Sequence, residues 1–146
     1  MAKFGEVLFI DSDVTDIETA LYQTLISNVG VVAVLAARIY PMIAPQDVIG
    51  PFLVYERLTS ELDYAQDGPS SLKIARFRLT LGSGKYADVL AAYKVVYAAI
   101  QPSMSINQIT TYGIFFNEPD DAYYQESNLH QRTVEFDVQY KLIQGD

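Results

Sequence analysis

Along RTVEFDVQYKLI, near the end of the chain, apolar and polar positions alternate strictly: Val134, Phe136, Val138, Tyr140 and Leu142 against Thr133, Glu135, Asp137, Gln139 and Lys141. A period of two is that of a strand with one buried and one wet face. LKIARFRLTL repeats it, with Ala75, Phe77, Leu79 and Leu81 opposed to Arg76, Arg78 and Thr80. Between these two strands the period changes. KYADVLAAYKVVYAAIQ, residues 85–101, sets Tyr86, Val89, Leu90, Tyr93, Val96, Tyr97 and Ile100 at helical spacing and is stopped by Pro102. The pattern predicts one core joining Phe77, Leu79, Val89, Tyr93, Val96, Phe136 and Val138.

Upstream, TDIETALYQTLISN carries Thr15 and Glu18 in capping-box spacing, then Ile17, Leu21, Leu25 and Ile26 along one face, which predicts a first helix. VVAVLAA, after Gly30, reads as a short helix or a buried strand by periodicity; Ala33, Leu35, Ala36 and Ala37 favour a helical turn. In ARIYPMIAPQDVIGPFLVYE, Pro41, Pro45 and Pro51 each fix φ and remove a donor, so the stretch divides into a short strand, a connector and a second strand. That second strand runs from Phe52 to about Asp63, and DGPSS at 67–71 supplies the turn of a hairpin. INQITTYGIFFNE is a further strand with a bulge at Gly113, and NEPDDAYYQE reads as a solvated loop. Hairpins and two principal helices in this order give an α+β fold, an antiparallel (mixed) sheet with two main helices packed on one face.

The 146 residues, half of them hydrophobic, suit one domain and need neither disulfide nor structural metal to bury a core. There is no cysteine, which leaves the redox compartment open. The opening MAKFGEVLFIDSD has only VLFI as an apolar run, and no segment reaches the eighteen apolar residues of a membrane helix, so a soluble chain made in a cytoplasm is expected. Ten basic against eighteen acidic residues give a net charge of −8. That balance argues against nucleic-acid affinity, which rests on clustered cations. It reads either as a solubility device or as an acidic wall past which DNA slides without sticking.

Catalytic chemistry finds little support. LGSGKY lies where a phosphate-binding loop would, but Leu79 and Tyr86 occupy the positions that demand glycine and Ser or Thr, so it is a strand-to-helix turn. His130, the only histidine, reads as a surface-loop residue, and without cysteine it builds no zinc site. Glu118, Asp120, Asp121 and Glu126 lack the spacing of a calcium loop, and Ser70 and Ser71 lack a nucleophile elbow. No catalytic residue, cofactor or metal ligand is expected.

Eleven tyrosines and seven phenylalanines remain, some of them, such as Tyr64, Tyr123 and Tyr124, in expected loops rather than on core faces. They are candidate interface residues, since tyrosine joins a large apolar area to a polar tip. Tyrosine also decorates strands for its own propensity. Assembly is the functional class that best fits a domain without catalytic groups.

The order of helix, Val/Leu/Ala-rich turn, RIYP, APQ, PFLVYERL, DGPSSL, strand and YADVLAAYKVVYAAI resembles the tail-completion or tail-terminator proteins of long-tailed bacteriophages and gene-transfer agents. The resemblance covers roughly residues 16–143. Residues 1–15 depart from it and read as an N-terminal arm before a single domain at 16–146. What the resemblance implies is a homohexameric ring at the head-proximal end of a virion tail, which caps the tail tube, stops its polymerisation and meets the head connector. It implies no catalysis, no cofactor and no membrane, with the tube protein, the connector or stopper protein and further copies of the chain as partners. Genomic DNA would pass through the lumen without specific binding. Asp63 and Asp67, or Glu118, Asp120 and Asp121, are the candidate lumen-facing acids. A head-side stopper or adaptor protein, and a small monomeric binding module, are the alternative readings.

Overall fold

The computed structural model describes residues 16–45, 48, 50–63, 72–104 and 109–142. The helices are α1 (Ile17–Ile26), α2 (Val29–Leu35) and α3 (Tyr86–Ile100), and the strands β1 (Ile39–Pro41), β2 (Phe52–Asp63), β3 (Lys73–Ser83), β4 (Ile109–Phe116), β5 (Asp120–Tyr124) and β6 (Leu129–Leu142). They build one mixed sheet in the order β1-β2-β3-β6-β4, in which only β1 and β2 run parallel. β6 is long enough to carry two strands on one edge, β4 along Phe136–Leu142 and β5 along Leu129–Thr133. The fold is the α+β arrangement that the alternation predicts, with the short α2 added to α1 and α3.

Both alternating strands bury the expected face. Ala75, Phe77, Leu79 and Leu81 of β3 meet Val134, Phe136, Val138 and Tyr140 of β6 beneath the helices. The Phe77, Phe136 and Phe116 rings run in a row, with centroids 5.5 and 4.9 Å apart. α3 is rotated from the expected face, because it buries Val89, Ala92, Val96, Ala99 and Ile100 while Tyr86, Leu90 and Tyr97 stay about two-fifths exposed. The alanines explain the rotation. They bring the α3 axis close to its neighbours, and Val95 fills the flank beside Gly30 of α2.

α1 is capped by Asp16, whose carboxylate accepts from the Thr19 amide at 2.7 Å, one residue beyond the expected Thr15. Asn28 caps α2 through the Val31 amide. The proline-rich connector is anchored at both ends. Arg38 donates from Nε to the Pro51 carbonyl at 2.6 Å, its own carbonyl accepts from the Leu53 amide, and the Met42 amide donates to the Tyr55 carbonyl. Gly50 lies at φ +89°, a left-handed conformation that favours glycine, with the Arg38 guanidinium close beside it. The expected hairpin turn at 67–71 lies outside the described residues.

Two strand-level expectations change. The segment read as a solvated loop is the edge strand β5, so Tyr123 and Tyr124 sit on a strand, and so does His130, opposite Tyr123 on β6. Its five side chains are all exposed, and backbone pairing to β6 holds it, which leaves no burial pattern to see. Between β4 and β5, three residues pass opposite Val134 and Glu135; the Asn117 amide bonds the Glu135 carbonyl, and Pro119 sits where no donor is needed. The bulge expected at Gly113 is present, with Tyr112 as the extra residue between Thr111 and Gly113.

Candidate assembly surface

Away from the helices the sheet presents an ion-pair ladder. Glu56, Arg78 and Glu135 stand in register on β2, β3 and β6, and the Arg78 guanidinium reaches both carboxylates, at 3.4 and 3.2 Å. One rung along, Arg76 grips Asp137 through two bonds of 2.7 and 3.1 Å. Opposite-charge cross-strand pairs of this kind each add only a few tenths of a kcal/mol. Toward the β4 edge this face turns apolar, with Phe115 and Tyr112 more than half exposed and the Lys141 ammonium 5.8 Å from the Tyr112 ring centroid.

The break between β4 and β5 forms a shallow depression of about 240 Å³ lined by Asn117, Glu118, Asp120, Thr133 and Glu135. Three of these five residues are acids and none is a cation. Asp121 does not join them. It is in register with Arg132 on the helix-facing side of the sheet, and the guanidinium holds its carboxylate through bonds of 2.7 and 2.9 Å. Of the candidate lumen acids, Glu118 and Asp120 therefore fall together while Asp121 is internally paired. Asp63 ends β2 opposite Lys73, and Asp67 and Tyr64 lie outside the described residues.

Around Arg132 the helix side carries a second cluster. The Tyr86 hydroxyl donates to Asp121 at 2.5 Å, and the guanidinium lies 4.9 Å from the Tyr93 ring centroid. The His130 ring sits between Tyr123 and Tyr86, with centroids 4.4 and 5.6 Å away. Hydrogen bonding from Arg132 holds the Asp121 carboxyl down at about 2, against a desolvation that works the other way. The same carboxylate raises the Tyr86 hydroxyl by accepting its hydrogen bond. The cluster ties the β5–β6 hairpin to the first turn of α3.

Apolar side chains are exposed at the opposite end of the fold. Val29 and Val32 lie on α2, and Met42 and Ile43 follow β1, with Val29 and Ile43 about four-fifths exposed. Beside them a depression of about 340 Å³ opens between the first turn of α1 and the end of β1, lined by Glu18, Pro41, Met42, Tyr55, Glu56 and Arg57. Among the described residues no group of three or more His, Asp or Glu side chains could hold a metal ion. No single helix among them is long and apolar enough to cross a membrane.

Sequence reasoning missed the Arg132 cluster and the Glu56–Arg78–Glu135 ladder. A signal for the first was present, since Arg132 falls in phase with the buried Val134, Phe136 and Val138, where a cation needs a partner. The ladder depended on a register that a single strand does not reveal. The family model for tail completion protein gp17 matches residues 19–141. A chain of the solved structure described as "Virion of native gene transfer agent (GTA) particle" superposes with a TM-score of 0.66 at 15% identity, over 86% of this chain and 94% of that one. This likeness is one of fold. No curated protein sequence matches the chain.

Proposed function

Because the chain belongs to the tail completion protein gp17 family, structural components of a virion tail rather than enzymes, we propose that it acts as a tail terminator. Six copies form a ring on the head-proximal end of the tail tube, and the ring stops tube growth and offers its other side to the head connector. The observation that carries this reading is the exposure of eleven large apolar side chains among the described residues of so small a domain. They are not gathered in one patch. Val29, Val32, Met42 and Ile43 lie at the α2–β1 end, Tyr112 and Phe115 on the open sheet face, and Leu90 and Tyr97 on the flank of α3. Several separated apolar surfaces suit a subunit with several neighbours, as in a head-to-tail ring that also docks on a tube.

The two sides of the sheet are unlike, one a charged ladder and the other helices with a tyrosine-rich flank. A ring with unlike faces can be added once to a tube end without templating another layer. DNA would cross its lumen past carboxylates, with the Glu118 and Asp120 depression as one candidate wall.

Mass measurement and negative-stain microscopy of the purified protein, alone and mixed with tails, test the reading. Sixfold rings on one tail end are the expected result. A protein that stays monomeric at high concentration and ignores tails would overturn it, and rings that bind only the portal complex would make the protein a head-side stopper instead.

A further inference from the structure

The outward face of α3 is not that of a solvated helix. Leu90, Lys94 and Tyr97 follow one another along it at i, i+4 and i+7, Ala87, Ala91 and Ala98 flank them, and all six are exposed. Lys94 is the one charge in this stripe, where an exposed helix face ordinarily carries several. Tyr97 packs edge-on against Phe116 of β4, with centroids 4.7 Å apart, so the stripe lies toward the edge of the sheet opposite β1.

At the β1 edge, apolar side chains meet acids. The depression there combines Pro41, Met42 and Tyr55 with Glu18, Glu56 and a single cation, Arg57. Glu18 holds Arg57 at 2.9 Å, and the Glu18 and Glu56 side chains stay two-fifths and three-tenths exposed. Met42 is two-thirds exposed and Ile43, next in the chain, four-fifths.

We propose that these two surfaces meet between copies, the α3 stripe of one subunit lying in the β1-edge depression of the next. The contact presupposes the ring proposed above and supplies its joint between subunits. Leu90 and Tyr97 bury apolar area against Pro41 and Met42, as an amphipathic helix does in a groove, and Lys94 meets the acids.

Charge decides the pairing. Two stripes brought together about a two-fold axis would turn Lys94 toward Lys94, and two depressions would turn acids toward acids, so the unlike pair is the complementary one. Because the surfaces lie on opposite edges of one sheet, a subunit that has used one still offers the other, which is the head-to-tail contact that closes a ring. Other surfaces fit less well. The depression between β4 and β5 is lined by polar residues throughout and gives Leu90 and Tyr97 nothing apolar to cover, and the patch around Tyr112 already holds the Lys141 ammonium.

The absence of native cysteine makes the test clean. Leu90→Cys and Tyr97→Cys are each mixed in equal amounts with Met42→Cys and oxidised. At least one mixture should give bridged dimers that hold one chain of each kind, while each variant alone stays unbridged. Bridged dimers as the main product of a single variant would show a symmetric contact and overturn the proposal. Rings that form without a bridge in either mixture overturn it too and leave the terminator reading standing, whereas a parent protein that forms no ring, alone or on tails, ends both. Lys94→Glu gives a second readout. Its circular dichroism spectrum should match the parent's, since the residue is exposed, while the concentration for half-maximal ring formation rises about tenfold or more. An unchanged assembly curve overturns the proposal.

Discussion

Arg132 on β6 and Asp121 on β5 stand directly opposite one another, and the guanidinium grips the carboxylate through two bonds of 2.7 and 2.9 Å. Because β5 has no buried side chain, the hairpin is held through this pair and through its contacts with α3: the Tyr86 hydroxyl on Asp121, the Arg132 guanidinium over the Tyr93 ring and the His130 ring beside Tyr86. Arg132→Ala should lower stability by about 1 kcal/mol, since the pair is partly solvated. The loss should be concentrated in the hairpin, so exchange at Ala122 and Tyr124, whose amides face β6, should rise more than exchange in β3. Uniform change across the sheet would contradict the latch.

The same pair predicts a pH dependence. Asp121 titrates at about 2 in the folded protein, below the ordinary carboxylate value, so its contribution is present above about pH 4 and fades as pH falls toward 2. Asp121→Asn should flatten that part of the acid limb in urea melts. An acid limb identical to the parent's would show that other carboxylates set it.

Burial pushes the Tyr55 hydroxyl up to about 12, with Tyr22, Glu18 and Asp16 adding repulsion. A folded value above the unfolded one stabilises fully below about pH 10, and the contribution is lost as pH rises from 10 to 12. After discounting for partial exposure it amounts to about 1–2 kcal/mol. Tyr55→Phe should therefore shrink the fall in melting temperature between about pH 9 and pH 11.5. A fall as steep as the parent's would assign it to other tyrosines.

Gly82 on β3 lies beneath the Phe52 ring, where an added Cβ would come within 2.5 Å of the ring edge. Gly82→Ala should cost about 1–3 kcal/mol, and combining it with Phe52→Leu should recover part of the loss. Additive costs in thermal melts would mean that the ring moves aside freely.

The alternation that made β3 and β6 legible comes from one buried face, and it specified Phe77, Val134 and Phe136 correctly because burial demands it at every second residue. β5 escaped notice for the same reason in reverse, since DDAYY is exposed throughout and paired through its backbone. In α3 the period of the apolar set identified the helix but not its orientation. Tyr86, Leu90 and Tyr97 are as apolar as the buried set, and Ala92 and Ala99 decided which side came closest to its neighbours. Of the candidate acids, adjacency in sequence grouped Asp120 with Asp121, whereas the pleat sends them to opposite faces.

That separation narrows the test of an acidic lumen. Asp121→Lys would break the hairpin latch as well as change the charge, so it says nothing about DNA. Glu118→Lys with Asp120→Lys alters a depression lined by three acids and no cation, and neither carboxylate is needed for the Arg132 latch. If this wall faces the channel, such particles should assemble normally yet eject their genome more slowly at low salt, because a cationic wall holds the phosphate backbone. The delay should ease as salt rises, since screening shortens the reach of each lysine to about 8 Å at physiological ionic strength. Asp63→Lys with Asp67→Lys is the matching test of the other candidate group. Parental ejection rates at low salt in both double variants would leave the net charge of −8 a matter of solubility.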